Sequence, residues 1–174
     1  DVFFALSHGV HRGVLKSGKY DDRAIFVKKL IDKTKNVKFD IYGIDKVQPI
    51  WADHYFKTIS NSKMGLNLSR GNPIKYYSSD RITQIIGNGL VTLIDEKTGY
   101  QDFFNKNEMI FYKNLDDLSE KILKISQDEK LRKKIGKRGR DKYLKYFNST
   151  LVANFILKKT FDIKDKTKYL WHNG

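Results

Sequence analysis

Tyr76-Tyr77-Ser78-Ser79-Asp80-Arg81-Ile82-Thr83-Gln84-Ile85-Ile86-Gly87-Asn88-Gly89-Leu90-Val91-Thr92-Leu93-Ile94-Asp95 is the stretch on which the fold turns. It reads as a polar loop, a helix start, an amphipathic helix, a glycine stop and a buried strand. Ser79 or Asp80 is the expected cap, because a side-chain oxygen there can accept from amides that have no intrahelical partner. Ile82, Ile85 and Ile86 recur at helical spacing and define one apolar face. Gly87 and Gly89 are expected to end the helix, since glycine tolerates positive φ. Leu90 to Ile94 then suits a strand covered on both faces. A helix that opens from a serine-rich loop presents free amides and a positive dipole end, which together favour an anion.

Working outward, residues 1–7 read as a first buried strand. A loop rich in glycine and basic residues follows over 8–20. Asp21 or Asp22 caps a helix to about Lys33, with Ile25, Phe26, Leu30 and Ile31 facing inward. Val37 to Tyr42 is a second strand, stopped by Gly43. Ala52 to Asn61 is a short helix with Phe56 and Ile59 buried, and Met64 to Ser69 is a third strand. Met109 to Tyr112 is the fifth strand, after the one at 90–94. The rest is helical: Leu115, Leu118, Ile122 and Ile125 mark one helix. Leu131, Ile135, Tyr143 and Phe147 mark a second, weakened by Gly136 and Gly139. A third begins at Asn148 or Ser149 and carries Leu151, Val152, Phe155 and Ile156. Strands alternating with helices at short spacing predict an α/β fold. The expected form is a doubly wound, Rossmann-like parallel sheet of about five strands, with helices on both faces and a helical C-terminal tail. The expected division is a nucleotide-binding domain over 1–147 and a C-terminal helix and tail over 148–174.

Composition bounds the function. The chain has 174 residues, 40% of them hydrophobic, and no cysteine, which excludes disulfides and thiolate metal sites. No apolar run approaches the ~20 residues that span a bilayer. The opening Asp-Val-Phe-Phe-Ala-Leu is already strand-like, so further chain upstream is expected. Net charge is +14, and between Lys121 and Lys145 eleven Lys and Arg face only Asp128, Glu129 and Asp141, a surplus of +8. Such a face attracts nucleic acid, anionic lipid or an anionic substrate, or is simply solvated. The run lacks aromatics before Tyr143 and carries no recognition motif, which argues against nucleic acid.

In a sheet of this kind ligands sit beyond the carboxyl ends of the strands, where chain order reverses. That edge gathers the loops 8–20, 44–51 and 70–80. The first has neither GxGxxG nor a P-loop. It offers Gly9 and Gly13 for close backbone approach and Arg12 and Lys16 as cations, or it is an ordinary basic surface loop. His8 and His11 have a metal-compatible spacing, but they flank glycines with no carboxylate beside them, so His8 reads as a hydrogen-bond donor or as plain loop. Tyr76 and Tyr77 could stack on a ring or simply pack. Arg81 sits in a first helical turn that disfavours cations, so it is expected to pair with a bound anion or with Asp80. Gln84 shares its face and suits a diol. No Ser-His-Asp order, HExxH or paired-carboxylate pattern can be drawn.

Laid out in order, these residues resemble the C-terminal half of a GT-B glycosyltransferase of the group-1-like kind, the spore-maturation-protein-like members in particular. "VKFDIYG", "KMGLNLS", "SSDRITQIIGNGLVTLID" and the closing "LDDLSEKILKISQDEKLRKKIGKRGRDKYLKYFNST" carry the resemblance over nearly the whole chain. It implies a nucleotide-diphosphate-sugar donor as substrate, no separate cofactor and no bound metal. The donor set it implies is His8, Gly9, Arg12, Lys16, Tyr77, Ser78, Ser79, Asp80, Arg81 and Gln84. Arg12 and Lys16 are the approximate counterparts of the family's diphosphate-neutralising pair. Gln84 stands where the family has Glu, and an amide still hydrogen-bonds hydroxyls. The acceptor site and catalytic base would lie in an N-terminal domain of the same parent chain, so no catalytic residue is assigned here. A cytoplasmic location is implied, free or on the inner face of an anionic membrane. Two other readings remain: a non-catalytic binding module using the 121–145 face, and a degenerate transferase scaffold.

Overall fold

The computed structural model describes residues 1–6, 21–44, 47–77, 79–164 and 166–172. Five short strands, β1 (Val2–Ala5), β2 (Phe39–Tyr42), β3 (Met64–Asn67), β4 (Val91–Asp95) and β5 (Ile110–Tyr112), form one parallel sheet in the order β2-β1-β3-β4-β5. Val2 is in register with Phe39 on one side and Met64 on the other, Met64 with Val91, and Leu93 with Ile110. The chain runs from β1 outward to β2, then crosses back to the other side of β1. The reversal therefore falls between β1 and β3, which is where a ligand crevice opens in such sheets.

Alternation along the strands sorts the core into two layers. Val2, Phe4, Met64, Leu66, Val91 and Leu93 pack with Val27 and Leu30 of α1 (Asp22–Lys33) and with Leu118, Ile122 and Ile125 of α4 (Leu115–Gln127). On the other face, Phe3 meets Ile59 of α2 (Ala52–Ser60) and Ile85 of α3 (Asp80–Gly87). Gly65 makes that contact possible, since a Cβ there would lie 2.5 Å from the Ile85 side chain. Ile82 and Ile86 join Ile94, Tyr100, Phe104 and Met109 in a third cluster.

The helix expected to be weakened by two glycines is continuous: α5 spans Glu129–Tyr146. Its glycines are contact residues. Gly136 sits so close to the backbone before β4 that a Cβ would lie 2.1 Å from the Gly89 carbonyl oxygen. A Cβ at Gly139 would lie 2.3 Å from that of Glu108, before β5. Thus α5 crosses the amino ends of these strands, opposite the crevice. Asn148 caps α6 (Ser149–Thr160) by accepting from Leu151 N.

Several expected orientations are corrected. Ile25 and Ile31 are exposed, because α1 turns Arg23, Val27 and Leu30 inward instead. The reason is local: Asp21 caps the helix through Arg23 N and also holds the Arg23 guanidinium, placing a neutralised arginine on the inner face. Phe56 is exposed on α2, and only Ile59 is buried there. Gly87 lies inside α3; Asn88 is the C-cap, and Gly89 alone takes positive φ, +76°. The apolar positions of α6 include no buried residue.

Candidate functional site

The switch point carries a cleft of about 490 Å3 between the end of β1, α2 and the start of α3. Ala5, Leu6, Ile50, Trp51, Tyr55 and Phe56 form one wall, and Tyr77, Ser79, Asp80, Arg81 and Gln84 the other. Every described member of the expected donor set therefore lines one cavity. His8, Gly9, Arg12, Lys16 and Ser78 lie outside the described residues. Sequence reading placed the 44–51 loop at this edge but singled out neither Trp51 nor Tyr55. An aromatic pair immediately before and within a short helix was the available signal.

Local chemistry shapes the α3 wall. Ser79 occupies the N-cap position with extended backbone, but its side chain makes no capping bond. Its hydroxyl donates instead to Asn67 Oδ1 at 3.0 Å, tying the helix start to the buried end of β3. Ser79 thus gives the first amides of α3 no side-chain cap, and they stand at the positive end of the helix dipole, where Ser79, Asp80 and Arg81 line the cleft. Arg81 follows in the first turn. One Nη donates to the Leu68 carbonyl at 2.9 Å, and the guanidinium lies 5.7 Å from the Phe4 ring centroid. Its Nε is buried without a hydrogen-bond partner among the described residues. The expected pairing with Asp80 is not made: no carboxylate lies within ion-pair distance of Arg81 among the described residues. Burial first, and then the neighbouring Arg23 guanidinium, push the Arg81 pKa below the ordinary arginine value. The Tyr55 hydroxyl is shifted upward by burial, with Arg81 opposing.

Arg23 is a second buried cation at this edge, which sequence reading did not single out. Asp21 holds it through Nε at 2.9 Å and Nη2 at 2.6 Å. It lines a smaller cavity of about 170 Å3, with Asn67, Asp95, Thr98 and Tyr112, on the opposite side of the β3 loop. The buried Tyr112 hydroxyl there has no partner among the described residues, and burial and Asp95 raise its pKa. The two tyrosines ahead of α3 divide. Tyr77 faces the larger cleft, whereas Tyr76 is anchored away from it, with its hydroxyl on Asp102 and its ring 5.1 Å from Phe103. Asp95 does what turn chemistry asks, accepting from Lys97 N at 2.8 Å.

Part of the basic 121–145 run is engaged. Lys121, Lys133 and Lys137 pair with Asp117, Glu129 and Asp141, and Lys142 with Glu108. Arg132 is buried on the carbonyls of Ile125 and Ser126.

A family model described as "Glycosyl transferase-like" matches residues 23–158. The chain belongs to the glycosyl transferase-like family. No curated protein matches it in sequence. Among solved structures it is similar in fold to TarM, with a TM-score of 0.63 at 14% identity, over 90% of this chain and 34% of that one. It is similar also to a point mutant of S. aureus TarM solved with fondaparinux, alpha-GlcNAc-glycerol and UDP, with a TM-score of 0.57 at 14% identity, over 78% of this chain and 31% of that one. The chain thus spans about a third of the length of these relatives. In this glycosyl transferase-like domain no described helix is long and apolar enough to cross a membrane.

Proposed function

We propose that this chain is the donor-binding part of a glycosyltransferase and that the cleft at the β1/β3 switch point holds a nucleoside diphosphate sugar. The observation that carries the reading is Arg81: a guanidinium half-buried at a helix N-terminus, with no carboxylate partner among the described residues, on the wall of a 490 Å3 cleft. A buried cation without a counter-charge is costly, and a ligand anion would relieve that cost. A diphosphate fits the chemistry. The uncapped α3 amides and Arg81 would neutralise it, and this charge would grow on the leaving group during transfer. Trp51, Tyr55 and Tyr77 supply apolar faces for the base and ribose, and Gln84, exposed on the same wall, a hydrogen bond to a ribose hydroxyl. The UDP in the TarM complex is consistent with such a donor. The transferred group would be hexosyl and the acceptor a glycan or similar molecule.

Residues 1–147 would be the nucleotide domain and 148–174 an appended helix and tail, with an acceptor-binding domain elsewhere in a longer, cytoplasmic parent protein. No catalytic residue is assigned to this chain. The nucleic-acid reading is the weaker one, since the basic run carries no aromatic residue before Tyr143 and no recognition motif. Calorimetry with UDP, GDP and their sugars tests the proposal. Binding of one diphosphate series, lost in Arg81→Ala, is the expected result; no binding of any, in a folded chain, overturns it.

A further inference from the structure

The C-terminal end of the chain holds a cavity of about 900 Å3, bounded by the last turns of α6, the turn that follows and the returning segment 166–172. It shares no lining residue with the donor cleft. Lys158, Lys159, Lys164, Lys166 and Lys168 all line it, and Asp162 is the one acidic residue in the described lining. Asp165 is the only other carboxylate of this stretch in the sequence, so five positive charges stand against two.

Two of the lysines have an ordinary reason to be there. Lys158 and Lys159 occupy the last turn of α6, where cations offset the negative end of the helix dipole. Lys164, Lys166 and Lys168 lie beyond the helix, are exposed, and pair with no carboxylate among the described residues. Like charges gathered round one cavity repel one another, and an anion within it would relieve that repulsion.

The walls are tied down. Ile163 N donates to the Lys158 carbonyl at 2.9 Å, which closes the turn after α6. Tyr169 packs on Phe155 at 5.0 Å, and the Trp171 ring lies 5.4 Å from that of Phe147. Phe147 in turn stacks on Phe104 at 5.6 Å, so the returning segment is fastened to the domain. Phe155 and Tyr169 give the lining its apolar part, and the Lys159 ammonium stands 5.9 Å from the Phe155 ring centroid. Cations of one sign set in a concave, partly apolar wall focus the field and concentrate counter-ions there. The smaller basic hollow on the 121–145 run differs, because Asp128 and Glu129 line it beside Lys124, Lys130 and Lys133.

We propose that this C-terminal cavity is a second anion site, separate from the donor cleft, which binds a soluble small molecule carrying several phosphate groups. Lysine binds phosphate as a point charge and needs no fixed approach geometry. One phosphate would meet only part of a lysine set spread round 900 Å3, whereas linked phosphates reach several of its members.

The test is calorimetry with orthophosphate, pyrophosphate and tripolyphosphate on the 174-residue chain carrying Arg81→Ala, which takes the cation of the donor cleft out of play. Affinity should rise along that series, with one tripolyphosphate bound per chain, and should fall as salt is added. Lys164→Gln, Lys166→Gln and Lys168→Gln together should weaken tripolyphosphate binding about tenfold or more. Removing the same charge at the other hollow, by Lys124→Gln, Lys130→Gln and Lys133→Gln, should leave it unchanged. All of these side chains are exposed, so an unchanged melting temperature establishes that both variants fold. Absence of tripolyphosphate binding overturns the proposal. So does equal weakening by the two triple variants, which would trace binding to the charge of the whole chain. Tighter binding of single-stranded RNA, weakened by both variants, would make these lysines part of a nucleic-acid surface and overturns it as well. The inference stands apart from the transferase reading: with Arg81 intact, the Lys164, Lys166 and Lys168 variant should bind nucleoside diphosphates like the parent chain, and failure of every nucleotide to bind would leave the tripolyphosphate result standing.

Discussion

The two edges of the sheet solve opposite problems. At the amino edge, α5 lies on the backbone before β4 and β5 through Gly136 and Gly139, Lys142 meets Glu108 at 2.9 Å, and Arg132 spends its donors on carbonyls. At the carboxyl edge, Arg81 Nε by the β1/β3 crevice and the Tyr112 hydroxyl at the end of β5 are buried without partners among the described residues, and Trp51, Phe56 and Tyr77 are exposed around the crevice. The contrast separates what holds the domain together from what it holds. Polar groups are satisfied and surfaces interlocked where only stability is at stake. An unmet donor and exposed rings meet at the crevice where a ligand is expected, although the Thr92 hydroxyl inside β4 is also buried without a partner among the described residues.

The largest test of this contrast lies in two glycines. Replacing a helical glycine by alanine ordinarily stabilises by about 1 kcal/mol. Gly87 meets that expectation: a Cβ there has nothing within 4 Å, so Gly87→Ala should gain roughly 0.5–1 kcal/mol. Gly136→Ala should do the reverse, because the new Cβ would strike a backbone carbonyl that cannot rotate away. A net loss of about 3 kcal/mol is expected, lowering the melting temperature by roughly 10 °C. If both alanines stabilise, α5 does not sit against the sheet edge as described.

Arg81 tests the other edge. Arg81→Ala should weaken nucleoside diphosphate binding about 100-fold while changing stability by less than about 1 kcal/mol, since it makes one carbonyl hydrogen bond and no ion pair. Arg81→Lys should recover only part of that affinity, because a point charge cannot reproduce a two-pronged contact. Melting curves paired with calorimetry on the same samples separate the two effects. A large stability loss with unchanged affinity would make Arg81 a structural residue and erase the distinction between the edges.

A smaller effect is expected at Gln84. It is exposed on the cleft wall, so Gln84→Ala should cost about 1 kcal/mol of nucleotide affinity and nothing in stability. Comparing UDP with its 2′- and 3′-deoxyribose analogues localises the contact: the variant should lose discrimination at one ribose hydroxyl. If Gln84→Ala and the parent chain discriminate identically, the ribose lies elsewhere.

Much of this was legible in the sequence for a physical reason. Period and punctuation act locally, so the 76–95 stretch displays its helix, stop and strand within its own residues. The order of elements then nearly dictates a parallel sheet. Long-range contacts are less visible. Gly136 and Gly139 read as helix breakers because their partner, the backbone at 89 and 108, lies far off in sequence. Ile25 and Ile31 looked buried because they are apolar, and nothing local advertised the bidentate bond to Asp21 that lets Arg23 take the inner face. The α6 stripe was correctly apolar, but periodicity cannot say whether a partner exists to cover it. For the site, the α3 residues were nominated directly, while Trp51 and Tyr55 arrive only by folding.

The smallest prediction asks whether unmet polarity is confined to the crevice or runs along the whole carboxyl edge. Just beyond β5, at the far end of that edge, Asp117 accepts from Lys113 N at 2.8 Å and from Lys121 Nζ at 2.7 Å. Lys121 also donates to the Phe111 carbonyl, so this corner is satisfied. Partial burial works against the charged carboxylate, but the Lys121 bond and the Lys113 amide outweigh it and hold the Asp117 pKa below the usual value. A carboxyl group depressed on folding stabilises the native state above its unfolded pKa, near ~3.9, and that contribution fades as pH falls through the lower folded value. Asp117→Asn should therefore cost about 0.5–1 kcal/mol near neutrality, a modest figure because the pair is partly exposed. The gap between the two proteins should close in urea titrations below about pH 4. A gap that persists there would trace to lost hydrogen-bond geometry and not to charge. Were the neutral-pH gap absent, this corner would resemble the crevice more than the amino edge, and the division between the two edges would no longer hold.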